Sequence, residues 1–265
     1  MTIANHPADH PARSATAPVP PRPDIGRSDV VDLTWRIARP LRHTVAAIAW
    51  TLTFAYLVAE FATSVAWRSG YSFRHDTISD LGVTACTPSM CSPLHLLMNA
   101  TFVALGLLTI IGAVGFRDYI PHGRRQWSIV ALAVVIGLST AATGVFPSND
   151  GIVVHGLAVM PALVSRHIVL TLLAIWLWKQ RRLAAVWSAA CASAGVTGMI
   201  LLMIGLQVGI TERLVFYPLP AWMAVTGAAI VLEPLKKAVR WRNPIPWGRW
   251  ASGRRRIDGS IGGPW

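Results

Sequence analysis

The chain has 265 residues, of which 53% are hydrophobic and 14% charged, with a net charge of +12. Soluble domains carry about 25% charged residues, so this composition excludes an ordinary water-covered globule, and the mean hydropathy of +0.48 agrees. The basic excess flanks apolar runs and crowds the C-terminal tail, with no nucleic-acid motif. It reads as anchorage to an anionic leaflet, not as a nucleic-acid partner surface.

Residues 1–42 are polar and rich in Pro and Ala, with Pro18, Pro20, Pro21 and Pro23 close together. They lack the basic start and short apolar core of a cleavable signal sequence. A disordered cytoplasmic tail is expected, with a short surface helix over 28–39 that brings Val31, Leu33 and Ile37 near one face. Six apolar segments follow, at about 45–67, 94–116, 127–146, 153–178, 183–206 and 214–232. Most are long enough to cross about 30 Å of hydrocarbon at 1.5 Å per residue. The fourth is over-long and contains Pro161, which predicts a kink there. The fold class is an all-α membrane protein, a bundle of six transmembrane helices over residues 43–235, with a basic, Trp-rich cytoplasmic tail over 236–265.

Charge asymmetry orients the bundle. Arg36, Arg39 and Arg42 precede the first span, Arg117, Arg124 and Arg125 fill the second loop, and Lys179, Arg181 and Arg182 the fourth. Lys236, Lys237, Arg240 and Arg242 open the tail, whereas the other side holds Arg68, Arg74 and Arg213. Positive-inside counting puts both termini in the cytoplasm of a multi-pass cell-membrane protein. Trp67, Trp127, Trp178 and Trp222 are expected at the headgroup level. The tail alternates Arg and Trp from Arg240 to Trp250, which suits adsorption to anionic lipid. The small residues Ala190, Ala194 and Gly198 let a helix approach the fifth span closely, either within the bundle or from a second copy.

The first outer loop, about 68–93, is the longest and most polar connection. Thr77, Ser79 and Asp80 can cap a short helix and Gly82 can end a turn. Cys86 and Cys91 fall on the oxidising side by this topology, which makes them a disulfide candidate. Two cysteines are too few for a zinc site, and Cys191, inside the fifth span, reads as a buried packing residue.

Ile78-Ser79-Asp80-Leu81-Gly82 and then Asn99 resemble the domain-of-unknown-function 998 family of prokaryotic membrane proteins. Gly144-Val145-Phe146-Pro147 with Asp150, the pair His155-Gly156, and Gly205 with Glu212-Arg213 fit the same pattern. The resemblance covers about residues 46–232 and implies no catalytic residue, because the family has no established activity. The Ile-Ser-Asp-x-Gly signature is also similar, more distantly, to a six-span family that includes the GPI-anchor lipid-remodelling factor and the autophagy modulators. That similarity implies lipid-related work by analogy alone.

Ionisable side chains inside hydrocarbon need a partner or a job. Thr53, Tyr56, Glu60 and Thr63 fall on one face of the first span, expected to point into the bundle. His155 and Arg166 share a face of the fourth, and the depth of Arg166 makes it the expected counter-ion of Glu60. His167 is expected to pack and bond against a neighbouring helix. Glu60, Asn99, Arg166 and Arg213 are ligand-binding candidates. Asp80, Asp150, His155 and Glu212 converge by topology on one side of the membrane, as acid–base or metal candidates or as a hydrogen-bonded plug.

No HExxH or GxSxG spacing and no cofactor motif is present. The leading expectation is a non-enzymatic protein that binds a lipid or partner through its polar outer face. The alternatives are a membrane-embedded enzyme acting on lipid headgroups, or a transporter with a path lined by Glu60 and Arg166.

Overall fold

Helices make up the regular structure of the described residues in this computed structural model. It covers the backbone of residues 27–242 apart from Ser69, Ser89 and Pro121, and the side chains of residues 40–232 with the same exceptions. The described residues divide into two units at Pro40. The helices are α1 (Arg27–Leu52), α2 (Ala55–Val65), α3 (His95–Gly115), α4 (Arg124–Val145), α5 (Ile152–Leu177), α6 (Arg182–Met203), α7 (Val208–Phe216) and α8 (Pro218–Arg242). The tail expected before Arg27 and the Arg/Trp tail after Arg242 lie outside the described residues, as do the side chains of Val31, Leu33 and Ile37. The stretch 28–39 is helical as part of α1.

Six stretches are long and apolar enough to cross a membrane: Pro40–Val65, His95–Gly115, Arg124–Val145, Ile152–Leu177, Arg182–Met203 and Val208–Leu232. The protein is therefore a multi-pass, all-helical membrane protein. Consecutive helices α3 to α7 pack side by side. The first and last spans meet through Trp50 and Trp222, whose rings lie 5.3 Å apart. The outward surface carries Phe61, Leu96, Leu107, Leu138 and Ile175 in exposed positions. Such a surface suits hydrocarbon, while buried backbone groups pair internally.

Two of the six spans are interrupted. Pro161 lies within α5, which runs through it as one helix. Spans one and six are broken instead. In the last span Pro218 and Pro220 have no N–H to offer, so the carbonyls four residues earlier lose their helical donors. Arg166 donates Nη1–H to the freed Phe216 carbonyl at 3.3 Å. In the first span the chain tightens around Thr53 and Phe54 into i to i+3 bonds: Thr53 N–H to Trp50 O, Phe54 N–H to Thr51 O, and Tyr56 N–H to Thr53 O, each 3.2 Å. The Thr53 hydroxyl competes for the Trp50 carbonyl at 2.6 Å and also reaches the Pro220 carbonyl at 3.1 Å. The two breaks are thus tied to each other.

The stripe Thr53, Tyr56, Glu60 and Thr63 is buried throughout, as its spacing predicts. Of the tryptophans expected at headgroup level, Trp127 and Trp178 are exposed, whereas Trp67 and Trp222 are buried. Trp222 sits in the core and donates its indole N–H to Ser188 Oγ at 2.8 Å. On α6, Gly198 lies against Leu214 and Val215 of α7, so close approach serves internal packing at that position. His167 packs on Gly195 of α6, but neither ring nitrogen has a hydrogen-bond partner.

Candidate functional site

Loop one, between α2 and α3, folds over one end of the bundle around a 3-10 turn at Ser79–Gly82. Its local order follows from short polar side chains that bond their own backbone. Asp80 Oδ2 accepts the Thr77 N–H at 2.7 Å, while Thr77 Oγ1 accepts the Asp80 N–H at 3.1 Å, a reciprocal cap. Asp76 accepts the Ser72 N–H at 2.7 Å. Ile78 and Leu81 are buried and anchor the turn in the bundle. Asn99 on α3 donates to the Gly82 carbonyl at 2.9 Å, and a Cβ at Gly82 would collide with that amide. Cys86 and Cys91 form a disulfide that closes the far side of the loop.

The helix ends reach up to this turn. Glu212 on α7 accepts the Ile78 N–H at 2.5 Å and faces the Ser79 hydroxyl at 3.3 Å. His155 on α5 stands between the Phe146 carbonyl, 2.7 Å from Nδ1, and Ser79 Oγ, 3.0 Å from Nε2. A carbonyl can only accept, so Nδ1 carries the hydrogen and a neutral ring accepts at Nε2 from Ser79. Ser79 has one proton, so its contact with Glu212 closes as a second hydrogen bond in two cases. Either Glu212 is protonated or His155 is cationic. Asn149 exchanges bonds with Thr84 at 3.1 and 2.9 Å.

Deeper in, Arg213 holds the loop to the bundle. Its Nε–H donates to Glu60 Oε1 at 2.8 Å, and Nη1 to the Phe73, Asp76 and Gly209 carbonyls at 3.1, 3.0 and 2.8 Å. Nη2 bonds the Tyr71 hydroxyl, and the guanidinium stacks 4.8 Å from the Phe73 ring. Gly209 makes room for this, because a Cβ there would strike the Phe73 and Asp76 carbonyls. Tyr217 donates to the same Glu60 oxygen at 2.7 Å. Burial pushes the Tyr71 hydroxyl well above its ordinary value, against the lowering pull of Arg213. It therefore keeps its proton and donates it to the Thr77 carbonyl at 2.7 Å.

The expected residues therefore sort into three groups. Asp80, His155 and Glu212 all meet the 77–80 segment. Asp150 does not: it is exposed, and its carboxylate makes no hydrogen bond among the described residues. Glu60 pairs with Arg213, not with Arg166. Equal depth does not identify the partner, because depth along a helix says nothing about azimuth in the bundle. Arg166 instead lies 4.1 Å over the Phe216 ring and caps backbone carbonyls, Ala162 at 3.0 Å among them. No group of three or more His, Cys, Asp and Glu forms a metal site among the described residues.

Tyr71 and Tyr217 carry much of the site through partners 142 and 157 residues away, Arg213 and Glu60, whereas the Phe146 carbonyl bonds His155 only nine residues on. Ser79 was visible as a motif residue, but its central place among Glu212, His155 and Ser148 was not.

A family model described as a protein of unknown function, DUF998, matches residues 37–229. The chain belongs to the DUF998 family. No curated protein and no solved structure matches it. The family match takes in the clamp from Glu60 to Arg213 and all of loop one, so these features lie inside the DUF998 region.

Proposed function

We propose that this DUF998 protein is a non-enzymatic membrane protein, and that loop one forms a rigid face binding a lipid headgroup or a partner. In this reading both termini lie in the cytoplasm of a cell-membrane protein, loop one lies outside, and the Arg/Trp tail adsorbs to anionic lipid. The observation that carries it is the use of the acid–base groups. Asp80 and Glu212 accept backbone N–H groups of loop one, and His155 is held by Phe146 and Ser79. A loop held on a rigid scaffold is a good recognition surface, and Arg68, Arg74 and His75 project from it. The distant likeness to a lipid-remodelling family points towards lipid by analogy. The test is to incubate purified protein in nanodiscs with phospholipids of varied headgroup. Headgroup-dependent binding that weakens in Arg74→Ala without turnover supports the reading. Headgroup hydrolysis or transfer that is lost in His155→Ala sinks it.

One observation favours the enzymatic alternative. Ser79 and His155 stand at 3.0 Å, the spacing of a nucleophile and its base, with the Phe146 carbonyl orienting the ring. A serine-reactive fluorophosphonate probe separates the readings. Labelling at Ser79 that disappears in His155→Ala makes the pair an acyl-transfer dyad; no labelling leaves it a tether. The transport alternative draws no support from an ion pair between Glu60 and Arg166, because Glu60 pairs with Arg213 and Arg166 bonds the Phe216 carbonyl.

A further inference from the structure

A cavity of about 130 Å³ lies in the half of the bundle away from loop one, bordered by α1, α3, α4, α5, α6 and α8. Its lining is almost entirely carbon, with Trp50, Phe116, Ile136, Leu173, Trp222 and Met223 among the walls. The Thr109 hydroxyl there is already bonded to the Leu105 carbonyl at 2.7 Å. A space of this size has room for about four waters at liquid density, yet each water wants two to four polar partners. The walls supply few, so water is a poor occupant. Along α8 the lining runs from Leu219 to Ile230, about 16 Å at 1.5 Å per residue. That is close to one leaflet's share of a hydrocarbon core about 30 Å thick.

The mouth has a different character. Arg181 and Tyr119 line it, both exposed, with the guanidinium 5.2 Å over the phenol ring. Among the described residues no carboxylate pairs with Arg181. Lys179 and Arg182 flank it in the same loop. Guanidinium groups suit phosphate oxygens, and an arginine held by ring stacking keeps its donors available for them.

We propose that this cavity is a lipid site, taking part of one acyl chain of an anionic phospholipid from the adjoining leaflet with its phosphate at Arg181. The bilayer supplies such a chain at high local concentration, the walls match hydrocarbon, and the mouth matches a negative headgroup. The site is separate from the loop-one face, so neither reading depends on the other.

The experiment uses the full chain in nanodiscs with trace phosphatidylglycerol or phosphatidylcholine, each carrying a photoreactive diazirine on one acyl chain. Adducts are mapped by mass spectrometry. Phosphatidylglycerol is expected to label Ile136, Leu173 and Met223, with about fivefold less labelling from phosphatidylcholine, the worth of one basic residue near an anionic surface. Arg181→Gln erases that difference. Ala133→Phe, which fills the cavity, removes the cavity adducts and leaves those on the exposed Leu138 and Ile175. Arg181 is a surface residue, so its variant remains informative even if Ala133→Phe does not fold. Wild-type adducts confined to positions such as Leu138 and Ile175 overturn the site. Equal cavity labelling by both lipids, unchanged in Arg181→Gln, overturns the anionic headgroup.

Discussion

At the loop-one end, Arg213 directs its guanidinium onto Glu60, Tyr71 and three backbone carbonyls. At the other end, Arg125, Arg181 and Arg182 lie 5.6, 5.2 and 5.7 Å over the rings of Trp176, Tyr119 and Trp178. Asp118 at that second end pairs with Arg42 and, at 3.8 Å, with Arg117. A cation matched by a carboxylate and carbonyls has little left for a ligand and locks a loop in place. A cation on an aromatic face keeps hydrogen-bond donors for an incoming anion. Polar groups thus close one end, and the other combines an apolar cavity with Arg125, Arg181 and Arg182, which have no carboxylate partner among the described residues.

Removing the central cation is the harshest way to break this contrast. Arg213→Ala strands the buried Glu60 carboxylate and frees loop one, with an expected loss of about 3–5 kcal/mol in detergent unfolding. Glu60→Gln added to Arg213→Met should recover part of it. A loss near that of an ordinary surface substitution would mean the clamp is ornamental.

Arg166→Met comes next. It leaves the Phe216 carbonyl unpaired in the core, worth about 1–3 kcal/mol. Pro220→Ala returns a backbone N–H at the matching position, so the pair Arg166→Met and Pro220→Ala should be milder than the sum of its parts. Strict additivity would show that Arg166 does not serve the helix break.

The disulfide is a smaller test. Cys86→Ser with Cys91→Ser opens a loop of sequence separation 5, for which chain entropy predicts about 2 kcal/mol or less. The loss should appear as faster proteolysis within loop one and leave chain-labelling at the opposite end untouched. Asp150→Asn sharpens the contrast from below. Its exposed, unbonded carboxylate should move stability by no more than about 0.5 kcal/mol, and a larger effect would place Asp150 in the site after all.

Much of the scaffold is legible in the sequence. The six apolar stretches are continuous in the chain, and crossing hydrocarbon depends on length and composition alone. The inward stripe from Thr53 to Thr63 is legible too, because a helix period sorts residues by face. The Asp80 cap is readable since both of its members lie within three residues of each other. The pairing of Glu60 is not. Arg213 stands 153 residues away, and the wrong candidate, Arg166, had equally good depth.

The interruptions at Thr53–Phe54 and Tyr217–Pro218 show the same division. Pro218 and Pro220 announce a disturbance, but so does Pro161, where α5 continues. Arg166 supplies a donor at the broken carbonyl of span six, and Thr53 ties span one to it.

The amino-acid sequence by itself determined the number of spans, the inward polar stripe, the basic flanks and the local cap of loop one, because each depends on composition or on neighbours within a few residues. Only the tertiary structure decided that Arg213 clamps Glu60, that Ser79 lies between Glu212 and His155, and that a cavity opens beside Arg181. Each of these brings together distant segments, and their relative rotation and separation in the bundle are set by the packing of every helix at once.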